Sequence, residues 1–116
     1  MLLVHWAKEV TGVQWRYDLG NSPAAVGRTT GIIFLNPYTW PTLTKDEQYF
    51  IICHEWAHIK GQLMDETKTD ALAFKKYVKS GRSLKASIYA LAKILDNENP
   101  RIASQLYRAR KYDGLV

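Results

Sequence analysis

Cysteine is nearly absent from this chain: Cys53 is the only one among 116 residues. That excludes an intrachain disulfide framework and a Cys-rich structural zinc site, and it fits a reducing compartment. Long apolar runs are also missing, and none approaches the roughly 20 residues of a membrane span. The opening MLLVHWAKEV has a short apolar run with no basic flank and no small-residue cleavage site, so no signal peptide is expected. The expected location is the cytoplasm. Repeats, low-complexity tracts and Pro/Ser-rich linkers are absent too, and residues 1–116 read as one continuous domain, long enough to bury a core.

What is present is an ordinary globular composition, 47% hydrophobic and 23% charged, rather than that of a disordered chain. The net charge of +5 is unevenly placed. Residues 1–59 carry four Lys/Arg against five Asp/Glu, whereas residues 60–116 carry twelve against six. A basic half can steer a protein towards nucleic acid or an acidic partner. The reading preferred here is the solvated outer face of several helices, so nucleic acid is not an expected partner.

Leu2 to Glu9 reads as a short first helix. In TGVQWRY, Val13, Trp15 and Tyr17 alternate with polar neighbours, the period of a half-buried strand. DLGNSP, Asp18 to Pro23, is dense in turn formers and ends it. Gly31 to Leu35, GIIFL, is the clearest strand, and a short piece near Ala25 to Arg28 is expected to pair with it. These make a small antiparallel sheet of about three strands.

From Thr44 onwards the pattern turns helical. Thr44 and Glu47 have the spacing of a capping box. The helix they open is expected to reach Lys60 and stop at Gly61 as its left-handed terminator. Further helices are expected from about Glu66 to Lys79, from a Ser83 cap to about Leu95, and from Asn99-Pro100 to about Arg110. Strands followed by helices define an α+β domain, its helical part carrying a histidine helix and a glutamate helix.

The chemistry concentrates in IICHEWAHIKGQLMDETKTDALAF, Ile51 to Phe74. One turn apart, His54 and His58 differ by roughly 40° around the helix axis, so both imidazoles can converge on one point. Glu55 lies on the adjacent flank, too far round to be a third ligand but close enough to act on a water there. Cys53 lies on the opposite flank from Glu55 and is expected in the core. A catalytic zinc needs three protein ligands and one open position. After the Gly61 break, Glu66 and Asp70 share a face of the next helix, and the short connection folds that face over the histidines. Glu66 suits the metal, and Asp70, one turn deeper, suits the second ring N–H of a ligating histidine. Asp65 is an alternative ligand, though a helix cap is its expected role. Trp56 and Phe74 read as core packing. On the bland alternative, His54 and His58 are merely exposed helix residues beside Lys60.

HEWAH followed by ETKTD resembles the gluzincin zinc metallopeptidases, with His-Glu-x-x-His on one helix and Glu-x-x-x-Asp on the next. Chain length and the lack of a membrane span make it similar to the minimal soluble kind, the minigluzincins. The resemblance implies one Zn2+ per chain on His54, His58 and Glu66, Glu55 as general base and Asp70 behind the metal. It also implies peptide hydrolysis, with a peptide or protein as substrate and no membrane partner. The chain departs from the pattern in the seven residues between His58 and Glu66, short for the clan. No motif marks an oxyanion-stabilising residue, and Tyr38, Tyr107, Tyr112 and His5 all stay open.

The expected function is therefore a zinc-dependent endopeptidase, with substrate backbone extended along Ile32, Ile33 and Phe34 as an added strand. Two alternatives remain: a zinc-holding or metal-free binding module using the basic C-terminal helices for protein or nucleic acid, and a regulatory peptidase that cleaves a repressor. Minimal gluzincins can be held latent by their own C-terminal segment, so the resemblance offers self-inhibition by residues 107–116 as a reading, beside the preferred one of a frayed terminus.

Overall fold

The structure, a computed structural model, describes residues 10–114. The expected helix at Leu2 to Glu9, His5 and the terminal Leu115-Val116 lie outside the described residues. Three strands come first, β1 (Gly12–Trp15), β2 (Ala24–Gly27) and β3 (Ile32–Leu35), followed by four helices, α1 (Lys45–Gly61), α2 (Glu66–Val78), α3 (Leu84–Ile94) and α4 (Pro100–Tyr112). A single 3-10 turn at Trp40–Thr42 joins the two parts. The α+β class expected from the pattern is the class observed.

The sheet is mixed rather than wholly antiparallel, with strand order β1-β3-β2. The β2 and β3 strands form the expected antiparallel pair, Ala25 opposite Phe34. The four residues between them leave no other choice, since only a crossover of a dozen or more residues makes neighbours parallel. The turn at Asp18 to Pro23 reverses the chain one strand-width away, and β3 enters that gap. It therefore lies parallel to β1, with Val13 opposite Ile33. The Asn36 side chain pins the turn by donating to the Gly20 and Ser22 carbonyls, both at 2.9 Å.

The alternation read in β1 does not bury its aromatics. Trp15 and Tyr17 are 57% and 68% exposed. As an edge strand, β1 has only Val13 packed against the core. The core itself lies between the inner face of β3, Ile33 and Leu35, and the buried stripe of α1, Phe50, Ile51, Ile52, Cys53 and Ala57. Ala73 and Tyr77 of α2 and Ala90 and Leu91 of α3 close it. Phe74 is buried, and Trp56 is partly buried against this cluster with Lys76 Nζ 4.5 Å from its ring centroid.

The helix caps follow the sequence. Thr44 Oγ1 accepts from the Glu47 amide at 3.2 Å while the Thr44 amide donates to Glu47 at 2.8 Å. Ser83 and Asn99 cap α3 and α4. The end of α1 differs from expectation: Gly61 stays helical and Gln62 takes the left-handed conformation, at φ 50°. Gln62 Nε2 donates to the Ile59 carbonyl at 2.8 Å, a local bond that supports this conformation. Glycine stands at 61 because the chain turns tightly there. A Cβ on it would lie 2.9 Å from Leu63 Cγ and 3.0 Å from Leu72 Cδ2. Helix α4 continues past Arg110 to Tyr112, whose ring meets Phe74 edge-on at 5.9 Å. No helix among the described residues is long and apolar enough to cross a membrane.

Candidate metal centre

The tight end of α1 lays α2 back along it and brings His54, His58 and Glu66 together. One ligand atom from each lies within 4.8 Å of the others. His54 Nε2 is 3.1 Å from His58 Nε2, and Glu66 Oε1 is 2.9 Å from His58 Nε2. Glu66 Oε2 lies 3.4 Å from His54 Nε2. Donors held at about 2.05 Å around a tetrahedral ion stand roughly 3.3 Å apart, so the spacing is that of a ligand set.

The other ring nitrogens sharpen the case. His58 Nδ1 donates to the Leu63 carbonyl at 2.7 Å, since a carbonyl only accepts. His54 Nδ1 faces the Asp70 carboxylate at 2.8 Å. With both Nδ1 atoms holding protons, neutral rings present two Nε2 lone pairs to each other at 3.1 Å. Only a proton or a cation between them relieves that repulsion. The three residues can hold a metal ion. They grade from buried His54 through half-buried His58 to exposed Glu66, which leaves one side of the cluster open. The bland alternative of two exposed histidines is excluded by the burial of His54.

Asp70 and Glu66 are both paired with cationic partners. Asp70 is wholly buried, and burial alone would raise its pKa, but hydrogen bonds from His54 and Arg101 hold it below the ordinary carboxylate value. Hydrogen bonds from His54 and then His58 hold Glu66 well below that range. Burial pulls the His54 imidazolium down, yet Asp70 and Glu66 outweigh it and carry its pKa to about 9. Glu55 is buried beside the cluster and contributes no ligand atom, and burial raises its pKa. Burial thus favours the protonated form of this carboxyl.

A cleft of about 280 Å³ opens on this group, lined by Ala24, Ala25, Val26, Arg28, Glu55, His58 and Glu66. Its strand wall is β2, not β3. The expectation that Ile32, Ile33 and Phe34 receive the substrate is corrected by the topology, because β3 is paired on both edges. The strand edge unpaired among the described residues and beside the site is that of β2. Sequence periodicity identifies strands but not which of them ends at an edge.

Asp65 is the cap of α2, accepting from the Lys68 amide at 2.9 Å, and is not in the cluster. Tyr38, Tyr107 and Tyr112 are exposed and none lines the cleft. Residues 107–112 form the last turns of α4 and do not enter the cleft.

Two participants escaped the sequence reading. The Leu63 carbonyl is a backbone group and leaves no residue-type signal. Arg101 reaches from α4 to Asp70, with Nε at 2.8 Å and Nη2 at 2.9 Å, and to Glu66, with Nη1 at 3.2 Å. Its only sequence signal is a basic residue in the first turn of a helix, where the helix dipole favours acids.

No protein-family model matches the chain, nor does any curated protein or solved structure. The site's own geometry carries the functional argument.

Proposed function

We propose that the protein is a zinc-dependent endopeptidase. The reading rests on one observation: two Nε2 atoms 3.1 Å apart, their partner nitrogens both engaged, converge on a carboxylate beside a buried fourth residue, Glu55. Two imidazoles and a carboxylate are a donor set suited to zinc, and three protein ligands leave a position for substrate. The resemblance of HEWAH and ETKTD to the gluzincin motifs supports the same assignment.

Zinc held by His54, His58 and Glu66 would supply Lewis acidity, lowering the pKa of water towards about 7 and polarising a carbonyl. Glu55 takes the proton from the attacking water and delivers it to the nitrogen of the departing amine, so acid and base are one group at successive steps. Asp70 and the Leu63 carbonyl hold the two imidazoles in the tautomer that presents Nε2. A peptide lies extended along the edge of β2 that is unpaired among the described residues, its backbone hydrogen-bonded to that strand. Small Ala24 and Ala25 leave room for it.

The nucleic-acid reading loses support from the same geometry. Arg101 and Arg108 of α4 turn inwards, Arg108 donating to the Gln105 side chain at 2.6 Å and the Thr67 carbonyl at 3.0 Å. Part of the basic C-terminal half is thus consumed by the fold.

The test pairs metal analysis with hydrolysis. Reconstituted protein should hold about one zinc per chain, and His58→Ala or Glu66→Ala should lose it. Glu55→Gln should retain zinc and fold while peptide hydrolysis disappears. A zinc-free wild type after reconstitution, or an active Glu55→Gln, rejects the assignment.

A further inference from the structure

The cleft holds one cation that the metal centre does not use. Arg28 follows the last residue of β2 and lines the same cleft as Glu55, His58 and Glu66. The two carboxylates beside it are accounted for. Glu66 is engaged by His54, His58 and Arg101, and Glu55 is the buried base. The described residues give the Arg28 guanidinium no ion-pair partner, unlike Arg16, Arg82 and Arg101, each of which has one. Its carbonyl accepts from Gln62 Nε2 at 3.4 Å, a contact between the β2–β3 turn and the end of α1. Arg28 is half-buried, so part of its hydration is already lost and an anionic partner replaces the remainder at low cost.

We propose that Arg28 is a carboxylate subsite, selecting peptides with an acidic group on the Arg28 side of the bond to be cut. The proposal rests on the peptidase reading. A peptide extended on β2 advances about 3.3 Å per residue and turns alternate side chains to one face. The cleft wall is formed by residues 24–26 with Arg28 two beyond, so a guanidinium turned into the cleft would meet one register position of the peptide. A planar guanidinium receives a carboxylate with two parallel hydrogen bonds, which a glutamine amide cannot match. The carboxylate belongs either to an Asp or Glu side chain or to the peptide's own C-terminus.

The test uses the full chain with zinc and dye-labelled decapeptides. A series with amidated C-termini carries one Glu at each position in turn in a Gln background. A further all-Gln peptide ends in a free carboxylate. Binding is read by fluorescence anisotropy on Glu55→Gln protein, with and without Arg28→Ala and Arg28→Glu. One Glu position, or the free C-terminus, should bind about 10–100-fold tighter than the all-Gln amide, the range of a charge-assisted bidentate pair. Arg28→Ala should abolish the difference, and Arg28→Glu should reverse it, so that the favoured peptide binds more weakly than the all-Gln amide. Equal binding of all peptides, no binding of any, or a Glu preference that survives Arg28→Ala overturns the subsite. Parallel hydrolysis assays on the protein with Glu55 intact separate the two readings. Charge-blind hydrolysis rejects the subsite alone, whereas Arg28-dependent binding without hydrolysis by zinc-loaded protein rejects the peptidase.

Discussion

Arg101 holds Asp70 in a two-point grip, Nε on Oδ2 at 2.8 Å and Nη2 on Oδ1 at 2.9 Å, while Oδ1 also meets His54 Nδ1 at 2.8 Å. The carboxylate that orients a candidate ligand is thus itself oriented from another helix. Asp70 has no solvent exposure, so removing Arg101 strands a buried charge. Arg101→Ala should destabilise the fold by about 3 kcal/mol, the lower part of the range for breaking a buried pair, because His54 remains as partner. Zinc affinity should fall about 10–100-fold, as for other changes behind a ligand. Arg101→Lys keeps the charge but loses the fork, and should fall between the two. Urea unfolding and competition against a zinc chelator measure the two quantities separately, and an Arg101→Ala protein with unchanged zinc affinity contradicts the role given to the grip.

The edge of β2 that is unpaired among the described residues makes a backbone-level prediction. Substrate amides that pair with a strand alternate with amides that point away. N-methylation of a cleaved peptide at successive positions should therefore slow hydrolysis at every second residue near the scissile bond and spare those between. Comparison of kcat/KM along such a series checks it. Uniform tolerance of N-methylation would rule out strand addition.

Cys53 offers a check on the core independent of the metal. Its thiol is fully buried, and burial drives its pKa far above the ordinary range despite the opposing pull of Lys76 and Arg82. Thiolate is the reactive form. Cys53 should therefore resist a thiol reagent such as dithiobisnitrobenzoate at pH 8 in the native protein and react promptly in urea. Rapid labelling of the folded chain contradicts the burial of Cys53 in the core.

The two histidines, Glu66 and Asp70 were legible in the sequence because each pair is four apart, and helical period alone puts such pairs on one face. Asp65 was legible as a cap because its side chain acts on an amide three residues away. These are local relations. The parallel pairing of β1 with β3 was hidden because strand pairing joins residues about twenty positions apart, and period two is the same for either direction. The expectation of an open edge on β3 fails for the same reason, since an edge is a property of the whole sheet. Arg101 was hidden for a related reason: it lies 31 residues from Asp70, and the docking of α4 is written in no local spacing. At the end of α1 the presence of a glycine was read through its conformational freedom, although its use at that position is to make room.

That last point leads to a substitution whose effects on stability and on metal binding should part. Gly61 is helical, so alanine there gains up to about 1 kcal/mol of helix propensity. Its Cβ would stand 2.9 Å from Leu63 Cγ and 3.0 Å from Leu63 Cδ1 and Leu72 Cδ2, and such overpacking costs about 1–3 kcal/mol. The neighbours are side chains rather than backbone, so the lower end of that range applies and the net change in stability should stay within about 1 kcal/mol. Relief, however, comes from moving Leu63, whose carbonyl accepts the His58 Nδ1 proton at 2.7 Å. Gly61→Ala should therefore lower zinc affinity about tenfold or more, in line with other losses behind a ligating histidine, while leaving urea unfolding of the metal-free protein nearly unchanged. Gly12→Ala is the control, since a Cβ at Gly12 meets nothing within 4 Å and the residue lies on the edge strand β1. Chelator competition on both variants is the measurement. Wild-type zinc affinity in Gly61→Ala would show that the Leu63 carbonyl does not govern how His58 presents its Nε2.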